Sequence, residues 1–294
     1  MKHPVRYRLE LYLAQLFWAL FAALPVAMAS SLGGALGGLV GRLPPLARRA
    51  ERNLQLALPE LSQQERTAII AGVWQNLGRT LGELPHLRDF TLTEDPPGPG
   101  QIQLVGGEKL LAHVGQARGA ILFGGHLANW ELMPVVVAGH AEAAHVVYRA
   151  PNNPLIDKWL QDFRKGIALS TLAKGPAAAR GLLSALKGGQ SVGMVVDQKM
   201  NDGIPTPFFG RDAMTAPALA QLALRQDIAV LPMRCERLDG TAFRMTVMDP
   251  LPHIKSGDHK ADVAAMMGQV NDLLEGWIRE RPEQWLWLHH RWPK

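Results

Sequence analysis

The chain has 294 residues, 47% of them hydrophobic and 19% charged, which is enough for a large buried core. Those figures exclude a disordered chain and a disulfide-stapled miniprotein, and the low charged fraction suits a surface that meets something other than water. The lone Cys235 cannot form an intramolecular disulfide, and no Cys/His cluster has zinc spacing. A reducing compartment is the default. The net charge of +5 lies entirely within the first 52 residues; the other 242 carry 24 basic and 24 acidic side chains. The basic balance therefore describes one segment and not a nucleic-acid-binding body.

In that segment Lys2, Arg6 and Arg8 precede, and Arg42, Arg48, Arg49 and Arg52 follow, an uncharged run of 31 residues from Leu11 to Gly41. Anionic headgroups are the natural partner for such a pattern. Three readings compete. The basic start, the apolar stretch to Leu24 and Ala27-Met28-Ala29 fit a signal peptide cleaved before Ser30, but the uncharged run continues well past that site. Leu11 to Met28, 18 residues, comes close to the roughly 20 needed to span a bilayer. A retained anchor entering one leaflet, broken at Pro25 and with Gly33, Gly34, Gly37, Gly38 and Gly41 for close helix packing, is the third. A retained anchor of either kind is the expectation adopted.

From Arg42 to Leu92 apolar residues recur at three- and four-residue spacing, predicting a helical collar. Asp95-Pro-Pro-Gly-Pro-Gly100 breaks it. Beyond that point β-type runs (Ala120 to Phe123, Ala144 to Tyr148, Val192 to Val196, Ile228 to Met233, Phe243 to Val247) alternate with helical ones. The helices are expected over Glu108 to Gln116, Pro154 to Gly166, Ala177 to Lys187, Pro217 to Arg225 and Asp262 to Glu280. The alternation predicts an α/β fold with a mainly parallel central sheet flanked by helices. The division expected is an anchor over residues 1–41, a helical collar over 42–94 and an α/β domain over 95–294.

The most informative stretch is Gly124-Gly125-His126-Leu127-Ala128-Asn129-Trp130-Glu131. A strand ends in two glycines, a histidine follows, and a helix is expected to begin near Asn129 with Pro134 close to its first turn. His126 then lies at a carboxyl end of the sheet, where open α/β sheets bind ligands. On a regular helix residues 126 and 131 would be about 140° apart. With His126 in the turn and Glu131 in the first helical turn, the carboxylate can reach an imidazole nitrogen and leave the other as a general base. A histidine capping a strand, with a glutamate favoured by the helix dipole, is the plainer alternative.

His126-Leu-Ala-Asn-Trp-Glu131 resembles the histidine-x4-acid motif of glycerolipid acyltransferases, in the glutamate form of the late lipid A biosynthesis acyltransferase family. Four further stretches resemble that family, in its order: Arg49-Ala-Glu-Arg-Asn53-Leu, Tyr148-Arg149-Ala-Pro-Asn-Asn-Pro154, Asp197-Gln198-Lys199 through Pro207-Phe-Phe-Gly210, and Pro282-Glu-Gln-Trp285-Leu-Trp287 with His289 to Trp292. The resemblance implies transfer of a fatty acyl group from acyl carrier protein to a hydroxyl of a Kdo-bearing lipid A precursor, at the cytoplasmic face of the inner membrane. His126 suits the base, oriented by Glu131, and Arg149, after a strand, and Arg164, late in the following helix, are the candidates for oxyanion donor or phosphate clamp. Asp197, Gln198 and Asn53 join the candidate substrate-binding or oxyanion set. Neither metal nor cofactor is expected, because a thioester is already activated, and Arg42, Arg48, Arg49 and Arg52 are candidates to dock the acidic carrier or to contact headgroups.

Other signals are discounted. Gly189-Gln-Ser191-Val-Gly193 fits the G-x-S-x-G pattern of hydrolases, but a helical run precedes it and a strand follows, the reverse of the elbow. His289-His290 would face opposite ways in a strand and so could not share a metal. Four of the eight tryptophans fall in the last 18 residues, for which core packing is the expectation and an interfacial belt the alternative. The remaining functional alternatives are acylation of another membrane glycolipid or phospholipid, a Ser191 lipid hydrolase, and a non-catalytic lipid-binding protein.

Overall fold

The computed structural model describes residues 4–292 apart from 42, 117, 141–143, 149, 166–168 and 174–175. The uncharged N-terminal run folds as two helices, α1 (Pro4–Ala22) and α2 (Val26–Val40). The break falls at Pro25, whose backbone is extended (φ −55°, ψ 143°) and whose ring cannot donate an intrahelical hydrogen bond. A single span from Leu11 to Met28 is thereby corrected to two shorter helices. Among the described residues no helix is long and apolar enough to cross a membrane.

The expected helical collar divides. Helix α3 (Pro44–Ala57) stops before residues 58–62, and α4 (Gln63–Glu83) restarts from a capping box in which the Ser62 hydroxyl accepts from the Glu65 N–H while the Glu65 carboxylate accepts from the Ser62 N–H. A 3₁₀ turn (Leu84–His86) ends it, and Thr91–Thr93 is already strand β1. Helix α2 lies directly on α4 through glycines. A methyl at Gly37 would come 3.0 Å from the Gly78 Cα and overlap the Trp74 carbonyl oxygen, so the two backbones touch where side chains would normally hold them apart.

The rest alternates as expected. In order come β2 (Gln101–Val105), α5 (Gly107–His113), β3 (Ile121–Gly124), α6 (Leu132–Ala138), β4 (Ala144–Tyr148), α7 (Pro154–Lys165), β5 (Leu169–Ala173), α8 (Pro176–Lys187) and β6 (Ser191–Val195). There follow β7 (Ile204–Phe208), β8 (Arg211–Thr215), α9 (Ala218–Gln226), β9 (Val230–Asp239), β10 (Ala242–Val247) and α10 (His259–Glu280). Eight strands form one sheet in the order β1-β2-β10-β9-β3-β6-β4-β5. Its pairs are parallel except β9 with β10, a hairpin. Ile121 and Phe123 pack on one face of the sheet while Ala120 and Leu122 pack on the other, the alternation of a strand covered on both sides.

Two features depart from the sequence reading and bear on the site. Helix α6 begins at Leu132, not near Asn129, and residues 126–131 form an irregular turn in which Ala128 takes a positive φ of 49°. The stretch Pro207-Phe-Phe-Gly210 is the tip of the separate β7–β8 hairpin, with Phe209 and Gly210 both at positive φ, as a two-residue hairpin turn of right twist requires.

Candidate active site

Strands β3 and β6 pair in parallel with Gly124 opposite Val195, so the chain leaves both strands side by side at their carboxyl ends. Gly125 lets the first turn close: a Cβ there would stand 3.0 Å from Leu274 and 3.4 Å from the Asp197 carboxylate. The His126 N–H donates to Asp197 Oδ2 at 2.8 Å, and His126 Nδ1 lies 2.7 Å from Oδ1. The Trp285 indole N–H donates to Oδ2 at 2.6 Å. Burial is the largest influence on Asp197 and pushes its carboxyl up, but the His126 charge and hydrogen bonds outweigh it and hold the group well below the usual carboxylate range. An ionised carboxylate only accepts. His126 therefore donates through Nδ1, and in its neutral form it keeps a lone pair at Nε2, which the Gln198 amide faces at 3.3 Å.

The carboxylate on the imidazole is thus Asp197 and not Glu131, which corrects the expected pairing. The reason is the position of the helix start. Glu131 stands just before α6, without a capping hydrogen bond, instead of lying in its first turn, and its two oxygens each sit 3.1 Å from an Arg164 guanidinium nitrogen. Arg164, near the end of α7, also lies over the Tyr148 ring at 5.5 Å. Arg164 and Glu131 are both partly exposed, with side-chain exposures of 20% and 22%. Arg149 and Arg42 fall outside the described residues. Asp197 and Gln198 both lie beside His126, and the partners of Asp197, His126 and Trp285, are distant in sequence.

Asn53 is elsewhere. It is buried, and its amide donates to the carbonyls of Trp287 at 2.8 Å and His289 at 2.7 Å, so its N–H groups are committed to the C-terminal chain and not to a substrate. Arg49 donates to Leu288 O at 3.1 Å. Together they staple a strap, residues 284–292, beneath the turn formed by residues 126–131. The strap in turn holds that turn: Leu286 N donates to His126 O, Ala128 N donates to Gln284 O, and Leu127 bridges to Trp285. Trp277, Trp285, Trp287 and Trp292 are all buried, so core packing accounts for the tryptophan cluster. Burial pushes His289 down to about 4, against the opposing pull of Asp197, which leaves it neutral near pH 7.

Ser191 is 1% exposed at the start of β6, with α8 before it, and accepts from Ala120 N at 3.1 Å. That is a structural position, without the strand-serine-helix order of a nucleophile. Among the described residues no group of three or more His, Cys, Asp or Glu could hold a metal. Sequence reasoning missed Trp285 as a donor to Asp197, and it missed Asn76, Thr80 and Glu83 of α4. These last three are polar residues at four- and three-residue steps along one helical face, a pattern visible in the sequence.

The profile of the bacterial lipid A biosynthesis acyltransferase family matches residues 1–294. The chain is similar to the lipid A biosynthesis lauroyltransferase of Escherichia coli K12, with 29% identity over 255 residues that cover 83% of this chain and 78% of that protein. It is also similar to the lipid A biosynthesis palmitoleoyltransferase of the same strain, at 29% over 247 residues, covering 82% and 77%. A lipid A biosynthesis acyltransferase of Haemophilus influenzae is 24% identical over 250 residues, covering 82% and 76%. The chain belongs to the bacterial lipid A biosynthesis acyltransferase family, and it is an O-acyltransferase of lipid A biosynthesis.

Proposed function

We propose that the protein transfers a fatty acyl group from an acyl carrier protein thioester to a hydroxyl of a Kdo-bearing lipid A precursor, with His126 as the base and Asp197 as the group that orients it. One observation carries the mechanism: the imidazole that ends β3 has its Nδ1 on a buried, ionised carboxylate and its Nε2 turned away from it. Nε2 takes the proton of the acceptor hydroxyl as its oxygen attacks the thioester carbonyl. The C–O bond forms, negative charge gathers on the carbonyl oxygen, and collapse breaks the C–S bond. The proton held at Nε2 then passes to the departing thiolate. Arg164, paired with Glu131, and the Gln198 amide, 3.3 Å from Nε2, are the candidates for cation and N–H donor to the oxyanion.

The membrane reading draws support from the surface. Val5, Leu9, Leu13, Leu16 and Leu20 are exposed along one side of α1. On the other side Trp18 packs edge-on against Trp159 and Phe163 of α7, with ring centroids 5.0 and 4.6 Å away. Met28, Leu32, Leu36 and Leu39 continue the exposed set on α2. Exposed apolar side chains on both helices, beside a basic segment, suit the cytoplasmic face of the inner membrane. Arg48, Arg49 and Arg52 of α3 remain the candidate dock for the acidic carrier.

His126→Ala tests the reaction. Incubated with labelled acyl carrier protein thioester and lipid acceptor, the variant should lose roughly 10²- to 10⁴-fold in rate while keeping its fold. Retention of more than about a tenth of the activity would exclude His126 as the base.

A further inference from the structure

Beneath the catalytic turn, helix α4 presents Asn76, Thr80 and Glu83 on one buried face. Asn76 Nδ2 and Thr80 Oγ1 both donate to the Ala128 carbonyl, at 2.9 and 3.0 Å. The N–H of the same residue is already bound to the Gln284 carbonyl. Ala128 sits at φ 49°, a region that a residue with a Cβ keeps only when its surroundings hold it there. One turn further along, Glu83 is fully buried. Its Oε2 accepts from the Asn129 amide at 2.8 Å and from Arg237 at 3.0 Å, and its Oε1 accepts from Arg237 at 2.5 Å and from the Ser30 hydroxyl of α2 at 2.6 Å. Asn129 passes the restraint on: its Oδ1 accepts from the Glu131 N–H at 3.2 Å, and Glu131 holds Arg164.

We propose that Glu83 and Asn129 are positioning residues for acyl transfer, forming with Thr80 and Asn76 a polar platform that sets the turn from His126 to Glu131. The platform fixes both ends of the site at once, His126 at one end of the turn and the Glu131–Arg164 pair at the other. A buried ion pair such as Glu83–Arg237 adds little stability over apolar packing of the same volume. Its hydrogen bonds do specify one arrangement of Asn129, which apolar side chains could not. The buried Ser30 hydroxyl ties α2 to the same carboxylate, so the N-terminal helical pair is connected to the catalytic turn through one side chain.

The proposal rests on His126 as base, and it fails separately from that reading. Asn129→Ala in the full-length protein cuts the link to the turn and leaves the Glu83–Arg237 pair in place. A displacement of about 1 Å at a reacting group can lower a rate roughly 100-fold, so kcat should fall roughly 10- to 100-fold, with KM for carrier thioester and acceptor changed by less than about twofold. Cys235 supplies the structural control, since burial pushes its thiol up to about 12 and its Sγ lies 3.4 Å from Asn129 O. It should stay as unreactive toward maleimide in the variant as in the wild type. Wild-type kcat in Asn129→Ala, alongside an inactive His126→Ala, would overturn the platform and leave the base intact. A fall in kcat matched by the fraction of molecules with a reactive Cys235 would also overturn it, because unfolding would then explain the loss. If Asn129→Ala does not fold, Thr80→Val keeps the shape and removes one donor to Ala128. A kcat lower by roughly fivefold at unchanged KM supports the platform there, and an unchanged kcat overturns it.

Discussion

The two ends of the chain are both rich in leucine and aromatic residues, and the fold treats them oppositely. Helices α1 and α2 turn Val5, Leu9, Leu13, Leu16 and Leu39 outward, whereas the C-terminal strap buries Trp285, Trp287 and Trp292. The difference follows from the backbone. A helix satisfies its own N–H and C=O groups, so its flank can face a medium without hydrogen-bond partners. The strap has little regular structure, and its polar backbone must find partners in the protein: Asn53, Arg49 and the turn at residues 126–131 supply them. An apolar segment that needs outside partners for its backbone is thus drawn against the turn at residues 126–131, and one that needs none can leave its apolar flank exposed.

The largest expected effect of breaking this arrangement is at the contact between strap and turn. Asp197 Oδ2 accepts from both the His126 N–H and the Trp285 indole. In Asp197→Asn those two donors should keep the amide oxygen at the Oδ2 position and turn the NH₂ toward His126 Nδ1. The imidazole would then carry its proton on Nε2 and could not act as a base. A kcat loss of roughly 10²- to 10⁴-fold with the fold retained is expected in the acyl-transfer assay; a loss below about tenfold would detach Asp197 from catalysis.

A smaller effect should appear in the acid stability of the strap. Because burial lowers His289 to about 4 from 6.5, the unfolded chain takes up a proton between those values while the folded chain does not. Stability should therefore fall as pH drops from 6.5 to 4. The Asp197 contribution, from a carboxyl held low, is lost only below its ordinary value of 3.8. Denaturant titrations across that range should show a flatter pH dependence in His289→Gln than in the wild type. The same slope in both would mean that His289 titrates normally.

The smallest effect on the fold, and the sharpest on location, belongs to the other end. Leu13 and Leu16 are 58% and 57% exposed, so Leu13→Glu with Leu16→Glu should change thermal stability little. The double variant should lose flotation with anionic phospholipid vesicles, and undiminished flotation would place the membrane contact elsewhere.

Much of the α/β alternation was legible in the sequence, because buried parallel strands such as Ala120 to Phe123 read as unbroken apolar runs. Strand β2, with Gln101 and Gln103, and strand β7, with Pro205 and Pro207, lack that signature. The pairing of His126 was not legible, since it depends on β3 and β6 lying side by side in register, a contact across 71 residues. Glu131 was close in sequence but separated by a turn whose backbone at Ala128 no local rule predicts. Asn53 stood in a motif and proved to serve the strap, so a residue type compatible with substrate binding was serving the backbone instead.

The orientation of His126 by Asp197 can be read directly from the ¹⁵N shifts of the His126 ring in histidine-labelled protein, at a pH where the imidazole is neutral. The expected result is the Nδ1–H tautomer in the wild type and in Glu131→Gln, with a switch to Nε2–H in Asp197→Asn. A tautomer that survives Asp197→Asn and changes in Glu131→Gln would contradict the assignment and return the orienting role to Glu131.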